Sequence, residues 1–506
     1  MARPVVLGID CSTTGARCVA WDAQGRAVAE GRSSIPLVSL PPEGYEQDAE
    51  RWWSAVVEAT ASVTAALGRA RVEGLCVAHQ RETFVVADAD GRPRRPGVVW
   101  MDERCRPQVA RVKADPALCA RLHDTTGKPP CLTPSLYKIM YLREVEGSTF
   151  EGDFIVADVH AFLARRLTGL WRTSTASADP TGLVDMRSGR WSAEALGLAG
   201  LSERHLPELL PPGALLGALS PEAARAMGLS EGLPVIAGAG DGQAAGLGAG
   251  ICGPGRAYLN LGTAVVSGVW SPAYRVDPAF RTLFGAAPGS YFCETDLKGG
   301  TFTLNWLLDH FMGVEPAGRD EALAALEVTA SAMAPGSSGL IALPYWCGVM
   351  NPHWDDDASG ALLGLRGHHG PAHVYRAILE GIAMEQRLHT DGVERAVNFS
   401  VEDFVVMGGG ARSDLWCQIV ADATGRRVVR AANAEATALG AGVLAAVGVG
   451  MHADVDAAVA AMISYGEVFA PGGNAARYAD LYDEVYAGVY GALQGALSRL
   501  TRFLSP

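Results

Sequence analysis

The feature that most constrains the fold is one strand–turn–strand design that occurs twice in the chain. The apolar run from Val5 to Ile9 leads to Asp10 and a hydroxyl-rich turn, and a second strand-like run follows. Residues 256–270 repeat this order around a glycine–threonine turn. Elsewhere strand-like and helix-like segments alternate, which is typical of an α/β fold. We therefore predict an α/β protein with two related halves, residues 1–252 and 253–506.

Composition narrows the class of protein. The chain has 506 residues, of which 49% are hydrophobic and 19% charged, so dominant disorder is excluded and two or three domains are expected. Acidic residues outnumber basic residues by 55 to 42. This balance argues against an extended nucleic-acid-binding face, but it allows a small basic pocket for a phosphorylated ligand. No nucleic-acid partner is predicted.

Cysteine usage and hydropathy indicate the compartment. The ten cysteines are scattered without a close CxxC pair, so a disulfide scaffold or zinc module is not expected and a reducing compartment fits best. No window approaches the roughly 20 apolar residues of a membrane span, and the first residues lack a signal-peptide pattern. We expect a cytoplasmic protein with no membrane partner. The oligomeric state is left open, with a homodimer as one candidate.

The turn after Asp10 is a candidate phosphate site. An acid at a strand end, followed by the hydroxyls of Thr13 and Thr14 and by exposed turn amides, can hold hydrated magnesium and phosphate oxygens. An ordinary hairpin with an Asx turn is the alternative. Gly262 and Thr263 place a similar turn at the head of the second half, and two such turns are the pattern of a nucleotide held between domains. No GxxxxGK[ST] run occurs, so a P-loop is excluded.

A second acid, Asp241, lies among glycines between a strand-like and a helix-like run. Residues 240–245 contain a GxGxxA pattern, but the acid that a dinucleotide site needs about 20 residues later is missing. The glycines let a substrate hydroxyl approach closely, and a carboxylate there can accept its proton. The helix dipole is expected to keep this carboxylate ionised. A plain helix N-cap is the alternative.

The glycine run 408–410 precedes a helix predicted for residues 414–424. Bare backbone at a helix N-terminus suits the ribose and phosphates of a nucleotide, and a tight structural turn suits the residues equally well. An earlier helix, predicted for residues 372–397, carries Glu380 and Glu385, which we expect to face solvent.

Arg81, Glu82 and Trp100 in the first half suit a polyhydroxylated ligand. Arg81 can donate to two hydroxyls and Glu82 can accept from a vicinal pair. A surface ion pair, which contributes little stability, is the alternative. Trp100 either lines the apolar face of a sugar or belongs to the core.

These motifs together resemble the FGGY carbohydrate kinases of the actin-like ATPase superfamily, over essentially the full length of the chain. Five segments carry the resemblance: the first phosphate motif at 7–17, the loop of the catalytic aspartate at 240–243, the second phosphate motif at 261–263, the C-terminal signature at 360–365 with 373–380, and the adenosine motif at 408–413.

The resemblance implies two ribonuclease-H-like, actin-like domains flanking a central cleft, with sugar held mainly by the first and ATP mainly by the second. It implies that Asp241 accepts the proton of the attacking hydroxyl and that Arg17 neutralises developing charge. Asp10, Thr13 and Thr14 are implied to manage Mg²⁺ and the transferred phosphate, with Asp241 also near the metal. The implied nucleotide contacts are Thr13, Thr14, Gly262, Thr263, Gly300, Gly409, Gly410 and Ser413.

The substrate is less constrained by these motifs. Residues 45–48 and 100–104 are most similar to the xylulokinase branch, whereas Arg81 and Glu82 resemble the glycerol-binding pair of glycerol kinases. Gly242 stands where glycerol kinases have glutamine, and we expect it to leave room for a longer substrate. We predict a pentulose, D-xylulose first, with glycerol or another short polyol as the alternative. The predicted sugar-binding residues are Gln80, Arg81, Glu82, Trp100, Asp102, Asp241 and Gln243.

Two other classes of protein share part of the pattern. An actin-like or chaperone-like ATPase shares the turns but lacks a carboxylate-plus-Arg/Glu polyol pocket, and no residues remain for a chaperone's substrate-binding domain. A catalytically silent sugar sensor is the other class. The joint presence of Asp10, Thr13, Asp241 and Thr263 argues against it, and no DNA-binding extension is apparent.

Overall fold

The computed structural model describes residues 3–68 and 70–504, in which strands and helices alternate. The elements of the first half are β1 (Pro4–Cys11), β2 (Gly15–Trp21), β3 (Ala27–Ser34), β4 (Val38–Leu40), β5 (Gly44–Gln47), α1 (Ala49–Ala66), β6 (Arg71–His79), β7 (Phe84–Ala87), β8 (Gly97–Val98), α2 (Arg106–Lys113), α3 (Pro116–Thr126), α4 (Ser135–Val145), β9 (Ile155–Asp158), α5 (Val159–Thr168), β10 (Arg172–Ser174), α6 (Thr175–Ala178), β11 (Val184–Asp185), β12 (Arg190–Trp191), α7 (Ala193–Leu198), β13 (Glu208–Leu210), β14 (Leu215–Ala218), α8 (Pro221–Met227), β15 (Pro234–Ile236) and α9 (Asp241–Gly248).

The second half continues in the same manner. Its elements are β16 (Arg256–Leu261), β17 (Val265–Ser271), β18 (Arg281–Phe284), β19 (Tyr291–Leu297), α10 (Thr301–Trp306), α11 (Arg319–Ser331), β20 (Ile341–Leu343), β21 (Ala361–Leu363), α12 (Pro371–Val397), β22 (Asp403–Met407), α13 (Asp414–Thr424), β23 (Arg427–Ala431), α14 (Ala436–Gly448), α15 (Val455–Met462), β24 (Tyr465–Phe469), α16 (Ala475–Leu481) and α17 (Ala487–Leu504).

A six-stranded sheet, ordered β14–β15–β6–β1–β2–β3, forms the centre of the first half. β1 runs antiparallel to β2 and parallel to β6, which in turn runs parallel to β15. The residues of β1 from Val5 to Ile9 are buried because α1 and α5 cover one face of the sheet while α9 and α14 cover the other. A separate five-stranded sheet, β4–β5–β8–β7–β9, packs with α2 and α4 around a core of its own.

A seven-stranded sheet, ordered β18–β19–β17–β16–β22–β23–β24, repeats this design in the second half. β16 runs antiparallel to β17 and parallel to β22, as β1 does with β2 and β6. The helices α12 and α13 and the tyrosines of the C-terminal helices pack on this sheet. The predicted α/β fold with two related halves is therefore confirmed.

Helix α14 lies in the second half of the sequence but packs against the first sheet. The indole Nε1 of Trp21 in β2 donates to the carbonyl oxygen of Ala438 at 3.0 Å. A Cβ atom on Gly440 would overlap the carbonyl oxygen of Ala244 in α9, so the backbones of α9 and α14 are in direct contact. Residues from both halves therefore share one core.

The two acids of helix α12 are buried, so the expectation that they face solvent is wrong. Glu380 accepts hydrogen bonds from Arg376 Nε and from the hydroxyl of Tyr478, each at 2.8 Å. Glu385 accepts from the hydroxyl of Tyr486 at 2.8 Å, and burial raises its pKa to about 7. The tyrosines come from the C-terminal segment, about 100 residues later, so local periodicity could not show that they cover this face.

All ten cysteines are free thiols. Of the helices within residues 3–68 and 70–504, none is both long and apolar enough to cross a membrane. In the same residues, no group of three or more histidine, cysteine, aspartate and glutamate side chains is arranged to hold a metal ion.

The contact between α9 and α14 predicts an asymmetric response of two helical glycines to alanine. Gly440→Ala forces a methyl group into the backbone of α9 and is expected to cost about 1–3 kcal/mol of stability, as overpacking does. Gly491→Ala, in α17 with no heavy atom within 4 Å of the added Cβ, should be neutral or stabilising by up to about 1 kcal/mol. Thermal unfolding of the two variants makes the comparison, and equal melting temperatures would contradict the close packing.

Candidate functional site

The acids and polar residues predicted for the site lie at the carboxyl ends of three adjacent parallel strands. Asp10 lies near the end of β1, His79 ends β6, and Asp241 follows β15 as the first residue of α9. A bridge between His79 and Gly240 brings the last two ends together. Ligands of open α/β sheets bind at this edge of the strands.

Asp10 and Asp241 influence each other's charge across this edge. The Oδ1 atom of Asp10 is buried without a hydrogen-bond partner. Burial, together with the charge of Asp241, raises the pKa of Asp10 to about 7, and Arg17 opposes the shift. A buried carboxylate oxygen without a partner is costly unless a cation or donor meets it. Asp10 therefore presents a free acceptor to any ligand in the cleft.

Asp241 is held from two directions while 38% of its side chain stays exposed. Its Oδ1 atom accepts from its neighbour Gly242 N at 2.8 Å and faces Arg81 Nε at 3.0 Å. Withdrawal from solvent raises the pKa of Asp241, and the Arg81 charge opposes this. The pKa of Asp241 is therefore raised overall. The helix terminus does not by itself set the basicity of this carboxylate, in contrast to what the sequence led us to expect.

Arg17 lies directly opposite Asp10 in the β1–β2 register. Its guanidinium forms an ion pair with Glu435, the residue before α14, and lies 3.9 Å from Glu30. The basic residue of the first phosphate motif is thus tied to the second half of the chain.

The hydroxyl-rich turn between β1 and β2 is fixed by aromatic and amide groups. Thr13 accepts from Trp100 Nε1 at its hydroxyl, at 3.0 Å, and from Gln47 Nε2 at its carbonyl, at 2.6 Å. Trp100 is half-buried and reaches this turn, so it is not simply a core residue. Thr14 is exposed, and its carbonyl accepts from Ile35 N at 2.9 Å.

Two of the predicted sugar ligands have their polar groups occupied. Gln80 is fully buried, donates to Gln47 Oε1 at 2.8 Å and accepts from Thr83 at 3.1 Å. Asp102 is 1% exposed and accepts from Tyr45 N and Arg104 Nε, each at 2.9 Å. Both side chains are therefore held in place by neighbouring protein groups.

Arg81 and Glu82 are buried and paired with residues that sequence reasoning missed. Arg81 Nη1 donates to both carboxylate oxygens of Glu294, at 2.9 and 2.8 Å. Glu82, which has a left-handed φ of 56°, accepts from Arg281 Nη1 at 2.9 Å. Neither Glu294 nor Arg281 belongs to a motif, and a charged residue inside each strand-like run of the second half was the available signal.

The space beside Gly242 is occupied by the side chain of Arg81. A Cβ atom on Gly242 would lie 2.9 Å from the guanidinium carbon of Arg81. The expectation that this glycine leaves room for a longer substrate is therefore wrong at this point, because the glycine makes room for Arg81.

Gln243 is buried and bonded to groups of the first half. Its amide donates to Ala176 O at 2.9 Å and to Asp179 Oδ1 at 3.2 Å, while its Oε1 atom is buried without a partner. Asp179 also faces Lys128 Nζ at 3.1 Å.

The predicted nucleotide residues form two adjoining turns in the second half. Gly300 N donates to Thr263 O at 2.9 Å, and Thr301 N donates to Gly262 O at 2.8 Å. A Cβ on Gly408, whose φ is 85°, would lie 2.9 Å from Leu261 O, so the two turns touch.

The glycines of the second turn differ in what surrounds them. A Cβ on Gly410 would overlap the ring of Trp416, whereas one on Gly409 would have no heavy atom within 4 Å. Ser413 caps α13 by accepting from Trp416 N at 3.0 Å and donates to Glu327 at 2.8 Å. Gly409 is therefore the position that faces open space.

Two family models together match most of the chain. Residues 5–248 match the N-terminal domain of the FGGY family of carbohydrate kinases, and residues 257–449 match its C-terminal domain. A xylulose kinase of Bacillus subtilis is 28% identical over 486 residues, covering 94% of this chain and 95% of its own. A glycerol kinase of Gloeobacter violaceus is 30% identical over 468 residues, 90% of each chain.

Structural similarity extends over the same length. The crystal structure of xylulose kinase from Rhodospirillum rubrum superposes with a TM-score of 0.87 and 29% identity, covering 97% of this chain and 99% of that one. The matched residues include both turns, the start of α9 and the buried pair at residues 81 and 82. The chain belongs to the FGGY family of carbohydrate kinases.

Proposed function

We propose that this protein transfers a phosphoryl group from ATP to a hydroxyl of a pentulose, with D-xylulose as the first candidate. The observation that carries the proposal is Asp241, held by Arg81 Nε at 3.0 Å beside the unpartnered Oδ1 of Asp10 at the carboxyl ends of parallel strands. The xylulose kinases among its relatives support the choice of sugar.

In the proposed reaction Asp241 is the general base. It accepts the proton of the attacking hydroxyl as that oxygen bonds to the γ-phosphorus of ATP and the bond to the ADP oxygen breaks. Its raised pKa improves its basicity over that of an ordinary aspartate. Arg17, opposite Asp10, neutralises developing charge, because phosphoryl transfer depends on positioning and charge compensation.

The nucleotide is proposed to lie against the two adjoining turns of the second half. Thr13 and Thr14 extend this surface from the first half. The open side of Gly409 supports this placement, since bare backbone lets a ligand approach closely. The contacting residues proposed are Gly262, Thr263, Gly300, Gly409, Gly410 and Ser413.

Mg²⁺ is proposed to be held by Asp10, with Asp241 nearby. The buried, unpartnered Oδ1 atom of Asp10 and the raised pKa of this residue fit a carboxylate that binds a cation. Carboxylate oxygens are the ligands Mg²⁺ prefers. When bound, the ion supplies neutralisation of charge on phosphate oxygens.

The sugar is proposed to lie along the wall that contains Gln80, Trp100, Asp102 and Gln243. Glycerol remains the second candidate, because Arg81 and Glu82 resemble the glycerol-kinase pair and a glycerol kinase is among the relatives. The ion pairs of Arg81 with Glu294 and of Glu82 with Arg281 favour the pentulose, since they occupy the groups that would read a short polyol.

We also propose residues 1–252 and 253–506 as the two domains, a cytoplasmic location, and a homodimer as the assembly to test.

A substrate panel tests the function. ADP release is measured with ATP and magnesium against D-xylulose, L-xylulose, D-ribulose, L-ribulose, glycerol, erythritol, D-arabinitol and gluconate. We expect the highest kcat/KM with D-xylulose, and Asp241→Asn should lower turnover by about 10²–10⁴-fold, the scale for loss of a general base. A preference for glycerol or erythritol contradicts the pentulose proposal. Near-normal turnover of Asp241→Asn removes Asp241 from its role.

The nucleotide surface is tested at Gly409. Gly409→Val adds bulk only on the open side of the turn and should weaken ATP binding on the order of 10- to 100-fold. The matched control is Gly473→Val, at an exposed glycine that also has no heavy atom within 4 Å of its added Cβ. Calorimetric titration of ATP makes the measurement, and equal affinity in both variants would refute the placement.

The metal site is tested by the stability of Asp10→Asn without metal or nucleotide. The pKa of Asp10 is raised to about 7 in the folded protein, so this carboxylate costs stability increasingly as pH rises from about 4 through 7. We expect Asp10→Asn to melt at a higher temperature than the unaltered protein at pH 8, and the gain to shrink as the pH falls below 7.

The control is Asp480→Asn, at an exposed position of α16, which should shift melting little at either pH. Adding Mg²⁺ with ATP should stabilise the unaltered protein more than Asp10→Asn. If Asp10→Asn is no more stable than the unaltered protein at pH 8, and its response to Mg²⁺ with ATP is unchanged, Asp10 is not the metal ligand.

A further inference from the structure

A row of residues crosses four strands of the second sheet, and one of its members is linked through Arg81 to the proposed base. Tyr258 in β16 pairs with Gly268 in β17, Gly268 pairs with Glu294 in β19, and Glu294 pairs with Arg281 in β18. Residues directly opposite in neighbouring strands share one face of the sheet. Gly268 has no side chain, and a Cβ there would overlap the ring of Tyr258. The ring therefore crosses β17, and its hydroxyl donates to Glu294 at 2.5 Å.

Glu294 is the centre of this row. It is fully buried, and its carboxylate accepts from Arg281 Nε at 2.8 Å as well as from Tyr258 and Arg81. These donors hold the pKa of Glu294 at about 2, despite its burial. A buried carboxylate with so many charged donors stays ionised and fixes the groups that surround it.

Arg81 links this centre to the proposed base. Its Nη1 contacts Glu294 while its Nε contacts Asp241, so one rigid guanidinium joins a strand of the second half to the first turn of α9. Its stem passes under Gly240, where a Cβ would overlap the Arg81 side chain. Because the guanidinium is planar and rigid, the position of Glu294 constrains the position of the Asp241 carboxylate.

We infer that Glu294 is a positioning residue for phosphoryl transfer, which acts through Arg81 to fix the orientation of Asp241. The inference rests on the proposed role of Asp241 as the base. Because Glu294 and Arg281 come from the second half and Arg81 and Asp241 from the first, the base is fully positioned only when the two halves are in contact.

The test compares Glu294→Gln with Glu380→Gln in the full-length protein. Glu380 is the matched control, because it is also buried and also bonded to an arginine and a tyrosine, Arg376 and Tyr478, on α12 and α16. With the best substrate of the panel, Glu294→Gln should lower kcat on the order of 10- to 100-fold, the scale for loss of a group that orients a functional side chain. KM for the sugar should change little.

Glu380→Gln should leave kcat near normal even if it lowers the melting temperature as much. Glu294→Gln with unchanged kcat overturns the inference. A large rise in sugar KM at unchanged kcat also overturns it, because Glu294 would then contact the sugar itself.

Two further variants keep the inference falsifiable. If Glu294→Gln does not fold, Tyr258→Phe removes one donor without changing any charge, and it should lower kcat more weakly at constant KM; an unchanged kcat counts against the inference. Asp241→Asn separates the two proposals. If it is inactive while Glu294→Gln is normal, only the positioning role fails, and if it is active, the proposed base fails.

Discussion

The guanidinium of Arg81 contacts carboxylates from both halves of the molecule, and much of the cleft depends on this interaction. On one side it reaches Asp241 at the start of α9, and on the other it reaches Glu294 in the second sheet. Burying one cation between two anions leaves a net negative cluster, which is favourable only because Arg281 and Tyr258 supply further donors to Glu294. The glycines at 240 and 242 are required for the same reason, since side chains there would occupy the space of Arg81.

Close packing against α14 also holds α9 in place. The backbone of α9 touches that of α14 through Gly440, and Trp21 bonds to the carbonyl of Ala438 in α14. α9 is thus anchored by close packing along its body and by charge at its N-terminus. Asp10, in contrast, has no compensating partner for its buried oxygen. The scaffold is tightly packed where it positions the proposed base. Where a cation and phosphate are proposed to bind, it leaves a buried carboxylate oxygen without a partner. A site of this kind loses stability in order to function.

Much of the fold could be predicted from the sequence because its signals are local. Apolar runs that end in turns gave β1 and β16, and the helix predicted for 414–424 has the bounds observed. The glycine and acid motifs also lie where the two repeated designs place them. The predictions that were wrong concern partners. Glu380 and Glu385 are buried by tyrosines of the C-terminal segment, and the space at Gly242 is taken by Arg81. No local pattern contains either contact, because the partners are distant in sequence.

The sequence by itself therefore determined the α/β class, the duplicated halves and the family, since each rests on residue order within short segments. The tertiary structure alone decided which charges meet. It paired Arg81 and Glu82 with Glu294 and Arg281, left an oxygen of Asp10 free, and raised the pKa of Asp241 by burial. The physical reason is that electrostatic interactions depend on distance and burial in three dimensions, and here they join residues separated by about 200 positions in the sequence.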